Sequence, residues 1–130
     1  MGSITTIKRE IVINQSKESV WKALADFGNI CHGHPAVNKS YITSAQKQGV
    51  GATRHCDFTM MGASAEEKVT AWNDGKNIKI EVYQLNKMPG IDTMSLDLAI
   101  RDMGPNTVLT GTMAYTMKNV LFDLMNSLMM

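Results

Sequence analysis

The sequence predicts an α+β protein, an antiparallel meander with helices on one side, and three observations carry that prediction. The apolar period is 3.6 in a short stretch near each end of the chain and 2 throughout the middle. The middle segments follow one another directly, with no helical stretch between them. The breaks between them are short and built from Gly, Pro, Asn and Asp, the residues that turns need. A doubly wound parallel sheet is excluded, because each parallel connection requires a crossover of about a dozen residues or more.

Residues 4–13 read as a strand, with Ile7, Ile11 and Ile13 on one phase. Ser16 is placed to cap a helix over 17–27, in which Val20, Leu24 and Phe27 recur at helical spacing and Gly28 supplies the stop. The stretch from Ile30 to Val37 reads as irregular or as one short turn. Residues 38–45, 52–60, 64–72, 77–85, 92–102 and 107–117 then fit strands. The alternation is clearest where Met94, Leu96, Leu98 and Ile100 interleave with Thr93, Ser95, Asp97 and Arg101. From about Asn119 helical spacing returns, with Leu121, Leu124, Met125 and Leu128 on one stripe.

A chain of 130 residues makes one domain, 1–130, and folding hides roughly 65–70% of its unfolded surface. Thirteen basic and twelve acidic residues leave a net charge of +1, which removes the electrostatic case for a nucleic-acid partner or a polybasic membrane contact. No apolar run approaches the roughly 20 residues of a membrane helix, so no membrane insertion is expected. Two cysteines are too few for a disulfide scaffold, and Lys8-Arg9-Glu10 interrupt any signal sequence, which together predict a cytoplasmic location. The oddity is methionine. There are 11, more than the tryptophans (2), tyrosines (3) and phenylalanines (3) together.

A family resemblance rests on Val20-Trp21 and Asp26-Phe27 in the first helix, Pro35-Ala36-Val37 after it, and Gly49 to Arg54 opening the third strand. Glu67-Lys68-Val69 with Trp72, and Gly104 to Thr107 before the last strand, complete it. In this order the chain resembles the START-like (SRPBCC) superfamily of polyketide cyclases/dehydrases, lipid-transport domains and birch-pollen-allergen relatives. The resemblance spans Ile4 to Met130. It implies a helix-grip fold, a curved seven-stranded antiparallel sheet wrapped around a C-terminal helix and an apolar cavity. Two departures stand out. Gly33 occupies a position where the family often has tryptophan, and the C-terminal helix reads as truncated, ending uncapped at Met129-Met130.

Side-chain phase selects the candidate cavity residues. Arg54, Cys56, Phe58 and Met60 share one face of the third strand, and the apolar members point that face inward. A short turn at Met61-Gly62 then brings Ala65, Glu67, Val69 and Ala71 inward, with Glu67 beside Cys56 and diagonal to Arg54. Two opposite charges in an apolar basket must pair, since either alone is costly there. Lys39 is the third charged candidate. The abscisic-acid receptors of the same superfamily hold their ligand's carboxylate with a lysine at the matching place, although their gate and latch segments are absent here. On the last strand Leu109, Gly111, Met113, Tyr115 and Met117 share the inward phase, where Gly111 leaves space and Tyr115 brings a hydroxyl. The strand at 77–85 is ambiguous: Ile78, Ile80 and Val82 point inward by hydrophobicity, but a bulge after Asn73-Asp74-Gly75 would turn Glu81 and Tyr83 inward instead. Met60, Met94, Met113, Met117 and Met125 fall on inward positions, and flexible thioethers suit a pocket that adapts to varied apolar guests.

Each feature has a structural reading beside the functional one: a tether for Arg54 and Glu67, plain core for the methionines, a packed aromatic for Tyr115. Cys31, His32, His34, His55 and Cys56 lack zinc-site spacing, so no metal is expected, and Gly49-Val50-Gly51 is a hairpin turn rather than a dinucleotide loop. No cofactor is expected. Three functions stay open. The first is binding of a small, mostly hydrophobic ligand in an internal cavity, held by Lys39, Arg54, Glu67 and apolar walls that include Val69, Leu96 and Leu98. The second is a cyclase/dehydratase in which Arg54 polarises a carbonyl and Glu67 or Tyr115 moves a proton. The third is a protein-interaction module without ligand. The sequence does not set the oligomeric state; a homodimer is compatible with it.

Overall fold

A computed structural model describes residues 4–32, 37–59, 62–88 and 90–117. Seven strands form one antiparallel sheet: β1 (Thr5–Ile13), β2 (Val37–Ile42), β3 (Thr53–Phe58), β4 (Ser64–Asn73), β5 (Asn77–Asn86), β6 (Ile91–Met103) and β7 (Asn106–Met117). Their order is β1-β7-β6-β5-β4-β3-β2, so β2 to β7 are a plain meander and β1 is added outside β7. The β1–β2 connection must therefore pass from one edge of the sheet to the other. It does so through helix α1 (Lys17–Ala25) and a 3-10 helix (Phe27–His32), which pack on one face and make that face the inner one. The predicted C-terminal helix, with Leu121, Leu124, Met125 and Leu128, lies outside the described residues, as do Gly33, His34, Pro35 and Met60.

Local signals explain the helical connection. The Ser16 hydroxyl accepts the Ser19 backbone N–H (3.2 Å), and Glu18 sits in the first turn, where the helix dipole favours a negative charge. The α-helix stops at Ala25, two residues earlier than its spacing predicts, and the Gln48 side chain donates to the Ala25 carbonyl (2.9 Å). Phe27, the last apolar residue of the predicted stripe, instead opens the 3-10 helix and is buried. Gly28 is needed for contact rather than for backbone freedom. A Cβ there would stand 2.8 Å from Ile42 Cγ1, so the 3-10 helix lies directly on β2, and the Ser40 hydroxyl donates to the Gly28 carbonyl (2.8 Å).

The core is Phe27, Ala52, Val69, Ile78 and Ile80, with Trp21, Leu24, Ile42, Trp72, Leu96 and Leu98 packed against it. Two bulges settle the strand left ambiguous by sequence. Between Glu66 and Glu67 the register of β4 against β5 slips by one, with Tyr83 the extra residue, and between Val69 and Ala71 it slips back, with Thr70 extra. Ile78, Ile80 and Val82 therefore face inward, while Tyr83 is exposed. The second slip corrects the expectation for Ala71. It pairs with Lys79 on the outer side, and Trp72, opposite Ile78, turns inward to meet Trp21 edge-on with ring centroids 5.7 Å apart.

The close approach at Gly28 leads to a direct expectation. Gly28→Ala should lower unfolding stability by roughly 1–3 kcal/mol, the usual cost of overpacking, measured as a drop in the urea midpoint. An unchanged midpoint would show that Ile42 yields without cost.

Candidate ligand site on the concave face

Arg54 and Glu67 stand directly opposite each other, and Cys56 faces Ala65. The sequence puts Glu67 diagonal to Arg54; the observed register is fixed where the Phe58 N–H donates to the Ala63 carbonyl (2.9 Å). Arg54 Nε and Nη2 both reach Glu67 Oε1 at 2.6 Å. Nη1 donates to the Phe27 carbonyl at 2.9 Å, and the guanidinium lies 4.1 Å from the centre of the Phe27 ring. Arg54 is 3% exposed and Glu67 4%. The inward pair is thus a tether joining β3, β4 and the 3-10 helix, with its charges satisfied by the fold. Beside it the Cys56 thiol lies 3.9 Å from Glu67 Oε1, and burial, reinforced by the neighbouring carboxylate, pushes its pKa up to about 12. It is a packing group, not a nucleophile.

Lys39 does not join them. A bulge between Val37 and Lys39 advances the β2 register by one, so Ser40 and Ile42 take the inner positions opposite Cys56 and Arg54. Lys39 is exposed on the outer face, opposite Asp57, with its ammonium 5.5 Å from the Tyr41 ring centroid. His55 occupies the same outer face. Its Nδ1 meets Glu66 Oε2 at 2.5 Å, its Nε2 meets Asp57 Oδ1 at 2.7 Å, and its ring stacks on Tyr41. The hydrogen bond to Glu66, aided by that to Asp57, raises its pKa above 6.5, because both nitrogens donate only when the ring is protonated. Among the described residues no three His, Cys, Asp or Glu side chains gather in a metal-binding arrangement.

The remaining inward candidates form a strip across β6 and β7. Leu98 pairs with Gly111, Leu96 with Met113, and Met94 with Tyr115. All six are half-buried, as is Phe58, whereas Val69, Ile78 and Ile80 are at most 1% exposed. Met117 shares the inward phase but sits at the strand end and is 48% exposed. Residues that sequence reasoning left out of the site continue the strip across β1: Ile7 opposite Met113, Arg9 opposite Gly111, Ile11 opposite Leu109. Their phase was readable in the sequence. That β1 lies against β7 was not.

Two half-open depressions border the sheet. One, of about 640 Å³, is bounded by Asp26 to Asn29, Ser40 to Ile42, Lys47 and Gln48. The other, of about 610 Å³, is lined by outward residues such as Lys79, Glu81 and Asp97 together with Met94, Leu96 and Tyr115 of the strip. Both are surface recesses; the concave strip carries the apolar side chains.

A curved antiparallel sheet with helices across one face and an apolar inner strip defines the START-like class of ligand-binding folds. The chain belongs to the family described as polyketide cyclase / dehydrase and lipid transport, whose model matches residues 5–130. Solved structures agree in fold. The major latex-like protein 151 of Panax ginseng superimposes with a TM-score of 0.77 at 12% identity, over 89% of this chain and 81% of that one. A START superfamily protein from Mycobacterium smegmatis gives 0.74 at 14% identity, over 88% and 79%. Norcoclaurine synthase from Thalictrum flavum gives 0.73 at 14%, over 99% and 79%. No curated protein sequence matches the chain.

Breaking the tether from one side strands a buried charge. Arg54→Ala should cost about 3–5 kcal/mol in urea unfolding, and the double variant Arg54→Met, Glu67→Leu should recover most of it. If the double variant were no better than the single one, the hydrogen bond to Phe27 would be the dominant part. His55 gives a pH signature. Its proton is held more tightly in the folded chain, so its stabilisation is fully present below about 6.5 and is lost as pH rises through the higher folded-state value. The melting temperature of the wild type should fall over that rise, while His55→Gln should flatten the dependence.

Proposed function

We propose that the protein binds a small, mostly hydrophobic molecule of lipid, polyketide or isoprenoid character on the concave face of its sheet. The observation that carries this reading is the half-buried strip formed by Met94, Leu96, Leu98, Met113 and Tyr115. These side chains adjoin the closed core yet stay partly open, and apolar walls with few polar groups are the usual lining of a ligand site. Methionines on that strip adapt their shape at low cost, which favours a range of guests over one rigid fit. The family description, which includes lipid transport, supports the same class of ligand.

Binding is better supported than cyclase or dehydratase chemistry. In that alternative Arg54 polarises a carbonyl and Glu67 or Tyr115 moves a proton, but here Arg54 and Glu67 are spent on each other, and Arg54 also on Phe27. Tyr115, half-buried on the strip, serves as a polar contact for the guest.

Native mass spectrometry and solvent extraction of the purified protein should reveal an apolar small molecule or uptake of an added one. Met113→Gln should reduce its retention about tenfold, because it places an amide against the guest. The Arg54→Met, Glu67→Leu protein should retain it, as expected when the pair is a tether. Failure of the folded protein to take up any apolar probe would overturn the proposal.

A further inference from the structure

Among the described residues, the concave face holds one charge that no other side chain neutralises. Of the charged residues at regular inner positions of the described strands, Arg54 and Glu67 bind each other, and Asp102, at the end of β6, lies 3.9 Å from Lys17. Arg9 is left. It stands midway along β1, exposed, with Ile7 and Ile11 as its neighbours on the same face. The adjacent carboxylate, Glu10, points to the other side of the sheet, where it accepts the Thr110 hydroxyl (3.0 Å) and lies 3.7 Å from Arg101. No hydrogen bond or ion pair joins the Arg9 side chain to another described residue.

The residue directly across from Arg9 is Gly111. Among the described residues, a Cβ built there would find one heavy atom within 4 Å, Leu98 Cδ2 at 3.7 Å, which leaves space for a side chain. Gly111 has no positive φ to require glycine. Leu98 closes the far side of the gap, and Met113 and Leu109 flank it along the strand. A cation with five donors thus borders an open apolar notch. A guanidinium on an apolar wall suits the planar, bidentate carboxylate better than a neutral head group, and the lower dielectric at such a wall strengthens the pairing.

We infer that Arg9 and Gly111 form the head-group position of the ligand site, and that the ligand is an amphiphile with a single carboxylate. The carboxylate occupies the notch over Gly111 against Arg9, and the apolar body crosses Met113 and Leu96 toward Ile80, about 14 Å across four adjacent strands. The assignment rests on the binding function proposed above and adds the chemical class of the guest. It also gives that guest a different polar contact from Arg54.

Decanoate and 1-decanol, which differ only in the head group, separate the two claims when titrated by calorimetry at low salt. The wild type should bind decanoate about tenfold more tightly than decanol, a preference that shrinks with added salt. Arg9→Gln should abolish the preference by weakening decanoate alone, Arg9→Lys should restore part of it, and Gly111→Leu should block decanoate by filling the notch. Lys8→Gln, which removes a charge of the same sign one residue away on the opposite face, should leave both affinities unchanged. Unfolding curves establish that each variant is folded. Equal binding of the two probes by the wild type, or an Arg9→Gln protein that still prefers decanoate, would overturn the head-group assignment while leaving apolar binding intact. Binding of neither probe by the wild type would overturn the binding function itself.

Discussion

The contact on which the rest of the structure depends is the buried junction of Arg54, Glu67 and Phe27. Three parts of the chain meet there: the strand that carries the guanidinium, the strand that supplies the carboxylate, and the 3-10 helix that offers both a carbonyl and an aromatic ring. A guanidinium can serve all three because its donors leave in one plane while its face remains free to lie on a ring. Burying the pair costs solvation, and its net contribution to stability need not be large. Its value is positional. Either charge left alone would be expensive, so the helical connection is held at one height on the sheet, and the edge strands β1 and β2 are placed relative to it.

Curvature is the second constraint. The inner face is concave because β2 and β4–β6 carry irregularities that add residues on one side of a ladder and increase local twist. Each irregularity also exchanges faces. One sends Lys39 outward and lets Ser40 and Ile42 in; another sends Ala71 outward and brings Trp72 beneath Trp21. The same operations that bend the sheet therefore choose the composition of its concave surface. The outer face collects the displaced polar groups, and there His55 clamps β3 to β4 through Glu66.

The concave surface divides into two regions of different character. Around Val69, Ile78 and Ile80 it is closed and serves stability. Across β6, β7 and β1 it stays partly open and combines methionine, leucine and isoleucine with one tyrosine and one arginine. The abundance of methionine in the composition acquires a partial explanation. Met94 and Met113 belong to the open strip, while Met103 and Met117 are exposed strand ends.

Much of this was legible in the sequence. Period-2 alternation and glycine- and asparagine-rich turns were sufficient for seven strands, because each signal is local and survives without knowledge of neighbours. The inward phase of Arg54, Cys56 and Glu67 and their need to pair followed from burial and charge alone. Lys39 and Ala71 could not be placed correctly, because a bulge is set by how two strands twist against each other and leaves no mark in either one. The function of Arg54 was likewise undecided, since a tether and a ligand anchor use the same residue. The Phe27 carbonyl, brought by the helical connection, adds a partner for Arg54 that no local pattern announces. Arg9 is the reverse case: an ordinary charged residue in sequence, it stands opposite Gly111 because the fold carries β1 to the outside of β7, a pairing across about a hundred residues that no local pattern encodes. The sequence by itself thus determined the strands, the inward face of β3 and the charges that had to be satisfied. The tertiary structure decided which charges satisfied each other and which was left facing the concave surface, because that depends on long-range pairing and on the bulges that set its register.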